Sequence, residues 1–192
     1  ARLLSKYYVP SGDHPFAKNG SSVQASKAGL SPTLHADNVV LLSSDMIRCR
    51  QTAEMIANRL GVTPHIEIAL REVDFGRWTG HAIDELIKSD SLKLAWETMD
   101  PDHRWDGGET FAEAHDRASN CIMKHFIAAN PGILMVVTHG IIIQLLLSYW
   151  LFNDLRHAEI IAISNGSVSI VDFDDGTLTA LRAHNLIPYS IC

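Results

Sequence analysis

ILMVVTHGIIIQLLLSYWLF, residues Ile133 to Phe152, is nearly all apolar and long enough to cross a bilayer as one helix. Thr138-His139-Gly140 and Gln144 lie in its middle, however, and Pro131-Gly132 mark a turn just before it. Polar groups at that depth are expensive in hydrocarbon. The stretch reads better as a strand buried on both faces, Ile133 to Val137, followed by a buried helix from Ile141 to Leu151.

Upstream, the same arrangement recurs. Val39-Val40-Leu41-Leu42 is a short aliphatic run that suits another doubly buried strand. It ends at Ser43-Ser44-Asp45, which offers N-cap chemistry for a helix running to about Leu60, where Gly61 is placed to stop it. Ala53, Ile56, Ala57 and Leu60 form one apolar stripe on that helix. Ile66 to Leu70 reads as extended and ends at Arg71-Glu72; Ala82 to Met99 has helical propensity; Gly107-Gly108-Glu109-Thr110 opens a helix to about Ala129. Ile160 to Ile163 and Val168 to Phe173 read as extended, with Asp174-Asp175-Gly176 turning the chain toward Leu178 to Arg182. Alternating strands and helices predict an α/β fold in three layers, a largely parallel sheet with helices on both faces. No linker or repeat interrupts the 192 residues, so one domain over 1–192 is expected.

Composition narrows the function. A formal net charge of -6 without a Lys/Arg cluster argues against nucleic acid as a partner. Cys49, Cys121 and Cys192 form no C-x-x-C pair and leave an odd count, which suits free thiols in the reducing cytoplasm. Neither a membrane span nor a signal peptide is expected. Oligomeric state is open, a homodimer included.

In open α/β sheets ligands collect at the carboxyl ends of the strands, where helix N-termini converge. Arg48 and His139 fall at that edge. A guanidinium there suits a phosphate through paired charge-assisted hydrogen bonds, although by position alone Arg48 reads better as a surface ion-pair partner. An imidazole at the end of a buried strand, followed by Gly140, fits chemistry better than core packing, because it can hold or donate a proton at a phosphoryl oxygen. Glu72, at the end of another extended segment, could serve as a general acid or base, but alone it reads better as a solvated surface residue.

Five segments in order carry more than any one residue: Ser43 to Ala53, Leu70 to Gly80, Gly107 to Thr110, Val136 to Gly140, and Asn165 to Val168. Within about Asp13 to Asn185 they resemble the motifs of the histidine phosphatase (phosphoglycerate mutase-like) superfamily. The short stretch between Glu72 and His139 resembles its compact phosphatase branch more than the mutases. The resemblance implies that Arg48, His139 and Gly140 hold the transferring phosphoryl group, that Glu72 donates a proton to the leaving group, and that His139 stabilises charge on the phosphoryl oxygens. It implies a small phosphorylated metabolite as substrate, and neither cofactor nor metal, since arginine and histidine supply the positive charge. The acidic stretch from Asp100 to Glu109 is then expected to be a solvated loop rather than a cation site.

The family's nucleophilic histidine sits in an Arg-His-Gly at the end of the first strand, and no such tripeptide occurs here. One register aligns Tyr7 to Gly12 with that strand, placing Pro10 and Ser11 where arginine and histidine belong. The other aligns Asp13 to Gly20 with the family's next segment and Gln24-Ala25 one residue off a following Gln-Ala pair. Spacing favours the second, which places the first strand and the nucleophile upstream of Ala1. His14 is a poor substitute, because Pro15 marks its surroundings as a loop. Three activities stay in view: a phosphohydrolase working through a phosphohistidine, a phosphoglycerate-type mutase, and a pseudophosphatase that binds phosphate esters without turnover. The expected intact mass of the purified polypeptide exceeds what these 192 residues account for, with Arg-His-Gly in the added segment. A mass that matches them refutes the second register.

Overall fold

The computed structural model describes residues 39–82, 85, 88–129, 132–174 and 176–187. Tyr7 to Gly12, Asp13 to Gly20, His14, Gln24-Ala25, Pro131, Asp175 and Cys192 lie outside the described residues.

Strand β1 (Val39–Ser44) runs into α1 (Ile47–Leu60), and β2 (His65–Glu67) follows. α2 (Asp90–Glu97) and α3 (Phe111–Ala129) come next, then β3 (Ile133–Val137) and α4 (Gly140–Phe152). β4 (Val168–Asp174) and β5 (Thr177–Leu186) close the described chain as an antiparallel hairpin. Among the described residues, β1, β2 and β3 form a parallel sheet in the order β2-β1-β3.

Successive side chains of a strand point to opposite faces, and β1 uses both. Leu41 faces α1 and packs with Cys49, Ala53, Ala57 and Val137. Leu42 faces the other way, into a larger core with Ala114, Ala118 and Ile122 of α3 and Ile142, Leu145 and Leu146 of α4. Leu41 and Leu42 are both fully buried, as expected for a strand covered on both sides. These layers are the expected α/β arrangement.

Residues Ile133 to Phe152 resolve into β3 and the 13-residue α4, and no helix among the described residues is long and apolar enough to cross a membrane. Gln144, the amide inside the apolar run, donates to the carbonyls of Ala158 and Ile161 and so ties α4 to the segment after it. That segment also differs from the sequence reading. Leu155–Ile160 is a 3-10 helix and 161–164 form no strand; the Ile161 carbonyl accepts from Gln144 rather than from a neighbouring strand.

Three other boundaries shift. α1 starts at Ile47 rather than Ser44, since Ser44 is still in β1 and its hydroxyl is engaged elsewhere. Of the Ile66–Leu70 stretch only Ile66 and Glu67 pair as a strand, with His65 before them. Its last partner is the last residue of β1, and Ile68–Leu70 turns as a 3-10 helix. Within Ala82–Met99, Glu85 is helical and a second helical stretch occupies Asp90–Glu97; Ser89, Asp90 and Ser91 favour a helix start over an interior. Residues 83, 84, 86 and 87 lie outside the described set. α3 begins at a reciprocal capping box, in which Glu113 N–H donates to Thr110 Oγ1 and Thr110 N–H donates to Glu113 Oε2.

The segments 74–76 and 106–109 approach backbone to backbone. Arg77 N–H donates to Asp106 O at 3.0 Å, and Glu109 N–H donates to Asp74 O at 3.0 Å. A Cβ on Gly108 would lie 2.1 Å from Asp74 O, and one on Gly76 would lie 2.1 Å from Asp106 O. Gly108→Ala should therefore force the two segments apart and destabilise the protein by roughly 1–3 kcal/mol, as overpacking typically does. An unchanged urea midpoint in the alanine variant would contradict this.

Candidate active site

The parallel pairing of β1 with β3 runs from Val39↔Ile133 to Ser43↔Val137, so both strands end at the same edge. Immediately past that edge stand Ser44, Arg48, Thr138 and His139. Arg48 is exposed in the first turn of α1, and His139 is buried as the N-cap residue of α4, whose first residue is Gly140.

Arg48 Nε and Nη2 lie 3.2 Å and 2.8 Å from His139 Nδ1, both aimed at this one nitrogen. A guanidinium only donates, so Nδ1 accepts and the ring proton belongs on Nε2. That nitrogen sits 2.9 Å from Ser44 Oγ and donates to it. The imidazole is thus held neutral with a defined tautomer. Burial, and then the charge of Arg48, push its pKa from 6.5 down to about 3. Cys49 lies beneath the ring, its thiol 3.5 Å from Thr138 O. Burial pushes this thiol above its usual range, so it packs as a protonated thiol.

Glu72 reaches the site from the loop after Ile68–Leu70. Its Oε1 accepts from Val73 N–H at 3.1 Å, and its Oε2 accepts from Ile141 N–H at 3.4 Å. A carboxyl that is largely surrounded but touches the N-terminus of α4 feels opposing influences. Burial dominates and raises its pKa above the ordinary carboxyl value, against the lowering effect of the amides and of Arg48. Glu72 is therefore not the solvated surface residue that its dipeptide suggests in isolation.

The sequence reading missed the scaffold that holds this loop. Arg117 of α3 donates to the carbonyls of Ala69, Arg71 and Glu72 and pairs with both oxygens of Glu109. Glu109 Oε1 also accepts from Asp74 N–H at 2.9 Å. Thr138 Oγ1 donates to Leu70 O at 2.8 Å, and Arg71 forks onto Asp45. Glu109 precedes α3 and Arg117 lies eight residues on, outside the three- and four-residue spacings that mark helical pairs, so no local pattern signals the contact. The stretch from Asp100 to Glu109 is accordingly more than a solvated loop: Trp105 is fully buried against Phe75 and Phe111, and Glu109 is an internal anchor.

Arg48, Glu72, His139 and Gly140, the residues singled out from sequence, thus meet at one strand edge, with Ser44, Thr138, Glu109 and Arg117 as their supports. Comparisons with known proteins show the family and the fold. The model of the histidine phosphatase superfamily (branch 1) matches residues 5–186. A protein named "Probable phosphoglycerate mutase GpmB" from Salmonella typhi is 27% identical over 139 residues, covering 70% of this chain and 63% of that protein. The chain thus spans less than two thirds of the length of the curated relatives it matches. The fold is similar to that of a mycobacterial glucosyl-3-phosphoglycerate phosphatase solved with inorganic phosphate, with a TM-score of 0.66 at 21% identity over 77% of this chain and 76% of that one. It is also similar to the alpha-ribazole phosphatase from Shigella flexneri, with a TM-score of 0.63 at 22% identity over 77% and 73% of the two chains.

The buried neutral imidazole has a consequence for stability. His139 has a lower pKa folded, about 3, than unfolded, near 6.5, so the unfolded state binds more protons between those values. Stability should fall as pH drops from 6.5 toward 3 and be insensitive to this group above 6.5. Urea titrations at pH 7 and pH 5 should show a larger loss in the wild type than in His139→Gln. Parallel losses would mean that the imidazole titrates normally.

Proposed function

The chain belongs to the histidine phosphatase superfamily, branch 1, and from that premise we propose that it is a phosphohydrolase acting on a small phosphorylated metabolite. One observation carries the reading: an exposed guanidinium stands 2.8 Å from the imidazole at the end of a parallel strand pair, beside a buried carboxyl with a raised pKa.

Each group has a task in phosphoryl transfer. Arg48 is free to turn from His139 to an entering phosphate, where its paired N–H donors fit two oxygens. The arriving negative charge reverses the electrostatics at His139, raising its pKa so that the ring can donate to a phosphoryl oxygen. Glu72, kept protonated to higher pH than an exposed carboxyl, donates its proton to the departing alkoxide oxygen. Positioned positive charge does most of the work in such a transfer, and Arg48 and His139 supply it without cofactor or metal. The family's route passes the phosphoryl group to a histidine and then to water; this sequence holds no Arg-His-Gly to supply that histidine. The stretch from Phe75 to Trp105, which follows the Glu72 loop, is the proposed source of substrate selectivity, through its exposed side chains rather than through Trp105, which is part of the core.

Release of inorganic phosphate from phosphomonoesters, including a phosphoglycerate, tests the reading. Arg48→Ala and His139→Ala should each lower kcat/KM by ~10²–10³, the usual cost of losing one charge-stabilising donor. Glu72→Gln should lower the rate ~10²–10⁴-fold for alkyl phosphates and much less for a nitrophenyl ester, whose leaving group needs no proton. Exchange of phosphate between positions of a phosphoglycerate would replace the hydrolase by a mutase, the activity in the relatives' name. Tight binding of phosphate esters without turnover would leave a receptor rather than an enzyme.

A further inference from the structure

On the α3 side of β2, apart from the groups assigned to phosphoryl transfer, Glu67, Cys121 and His125 converge. Their ligand atoms, one carboxylate oxygen, the Sγ and one ring nitrogen, all lie within 4.8 Å of one another. Cys121 and His125 are four residues apart on α3 and so share one face of the helix; Glu67 is the last residue of β2. The three line a cavity of about 260 Å³ together with Ala69, Arg117, Asn120 and Lys124. We propose that Glu67, Cys121 and His125 form a binding site for a zinc-class divalent cation.

The donor set argues for this kind of ion. A thiolate and an imidazole select borderline and soft metals over magnesium or calcium, and zinc accepts sulfur, nitrogen and carboxylate oxygen together. A tetrahedral shell with Zn–N near ~2.0 Å and Zn–S near ~2.3 Å places its ligand atoms roughly 3.3–3.8 Å apart. His125 Nε2 and Glu67 Oε1 are 2.7 Å apart, joined by a hydrogen bond, and would open slightly around an ion. From a separation of up to 4.8 Å, the sulfur has to close in by roughly 1–1.5 Å, within the reach of a rotamer adjustment. Solvent in the cavity can take the fourth position.

Charge balance agrees. Carboxylate plus thiolate offset a divalent cation, with the imidazole neutral. Arg117 does not oppose the ion strongly, because its guanidinium is engaged by Glu109 and three carbonyls. Lys124 is the remaining cation at the cavity and can turn its amine to solvent. Burial and the neighbouring Glu67 push the Cys121 thiol up to about 11, so without metal it is protonated. Binding breaks the S–H bond, forms a sulfur–metal bond and releases that proton to solvent.

The test uses the full chain with Co²⁺ as a spectroscopic probe and Zn²⁺ as competitor. The expected result is a thiolate-to-cobalt charge-transfer band that saturates at one equivalent, is accompanied by proton release, and disappears on adding Zn²⁺. Cys49→Ser and Cys192→Ser should retain the band; Cys121→Ser should lose it. His125→Gln and Glu67→Gln, both at partly exposed positions, should weaken Co²⁺ binding by about 100-fold or more, at least the loss seen for outer-shell partners. They keep the test decisive if the core substitution at Cys121 disturbs folding. No band at one equivalent, a band that survives Cys121→Ser, or unchanged affinity in His125→Gln and Glu67→Gln overturns the site. Because the readout is binding, failure of the phosphohydrolase reading would not alter the result.

Discussion

Pairing of β1 with β3 sets everything else. Five consecutive parallel partners, Val39↔Ile133 through Ser43↔Val137, fix where two strands far apart in sequence end. A slip of one residue would move Leu41 and Leu42 to each other's faces and displace Ser43 and Ser44 relative to both cores. It would also separate Ser44 from His139, which are joined across 95 residues by one hydrogen bond. The site is therefore as well located as the core is well packed, because both depend on one register.

At that edge the protein keeps two basic groups side by side. The arrangement is tolerated because one of them gives up its charge: His139 is neutral and accepts from Arg48. An anion resolves the conflict by accepting from both. Glu72 is the counterpart, a carboxyl drawn toward neutrality by burial although it touches helix amides and faces Arg48. Two ionisable groups displaced in opposite senses from their usual charge states are a common mark of a site built for proton movement.

The sheet and the helices on its two faces were legible because doubly buried strands leave unbroken aliphatic runs, as in Val39 to Leu42 and Ile133 to Val137. His139 was legible because the ends of such strands are where ligands gather, whereas Arg48, which by position alone reads as a surface ion-pair partner, was singled out only by the family resemblance. Glu72 looked like surface from its dipeptide alone. Its burial depends on Arg117 gathering the carbonyls of Ala69, Arg71 and Glu72, and the partners of a guanidinium across some 45 residues leave no local pattern. The stretch Ile160 to Ile163, read as extended, shows the same thing: an amide at Gln144, in another element, takes the carbonyl of Ile161. Local pattern registers where apolar faces lie; it does not register which backbone groups a distant polar side chain will capture.

The close approach of Gly76 and Gly108 bears on how such a protein can diversify. With Arg77 bonded to Asp106 and Glu109 bonded to Asp74, the excursion between them leaves and re-enters the fold through a single narrow neck. Lengthening a closed loop adds little entropic cost, about 0.6 kcal/mol per doubling. The exposed parts of the excursion can thus change in length and content while the neck keeps the Glu72 loop in place, whereas Met99 and Trp105, which belong to the core, are tied to the rest of the fold.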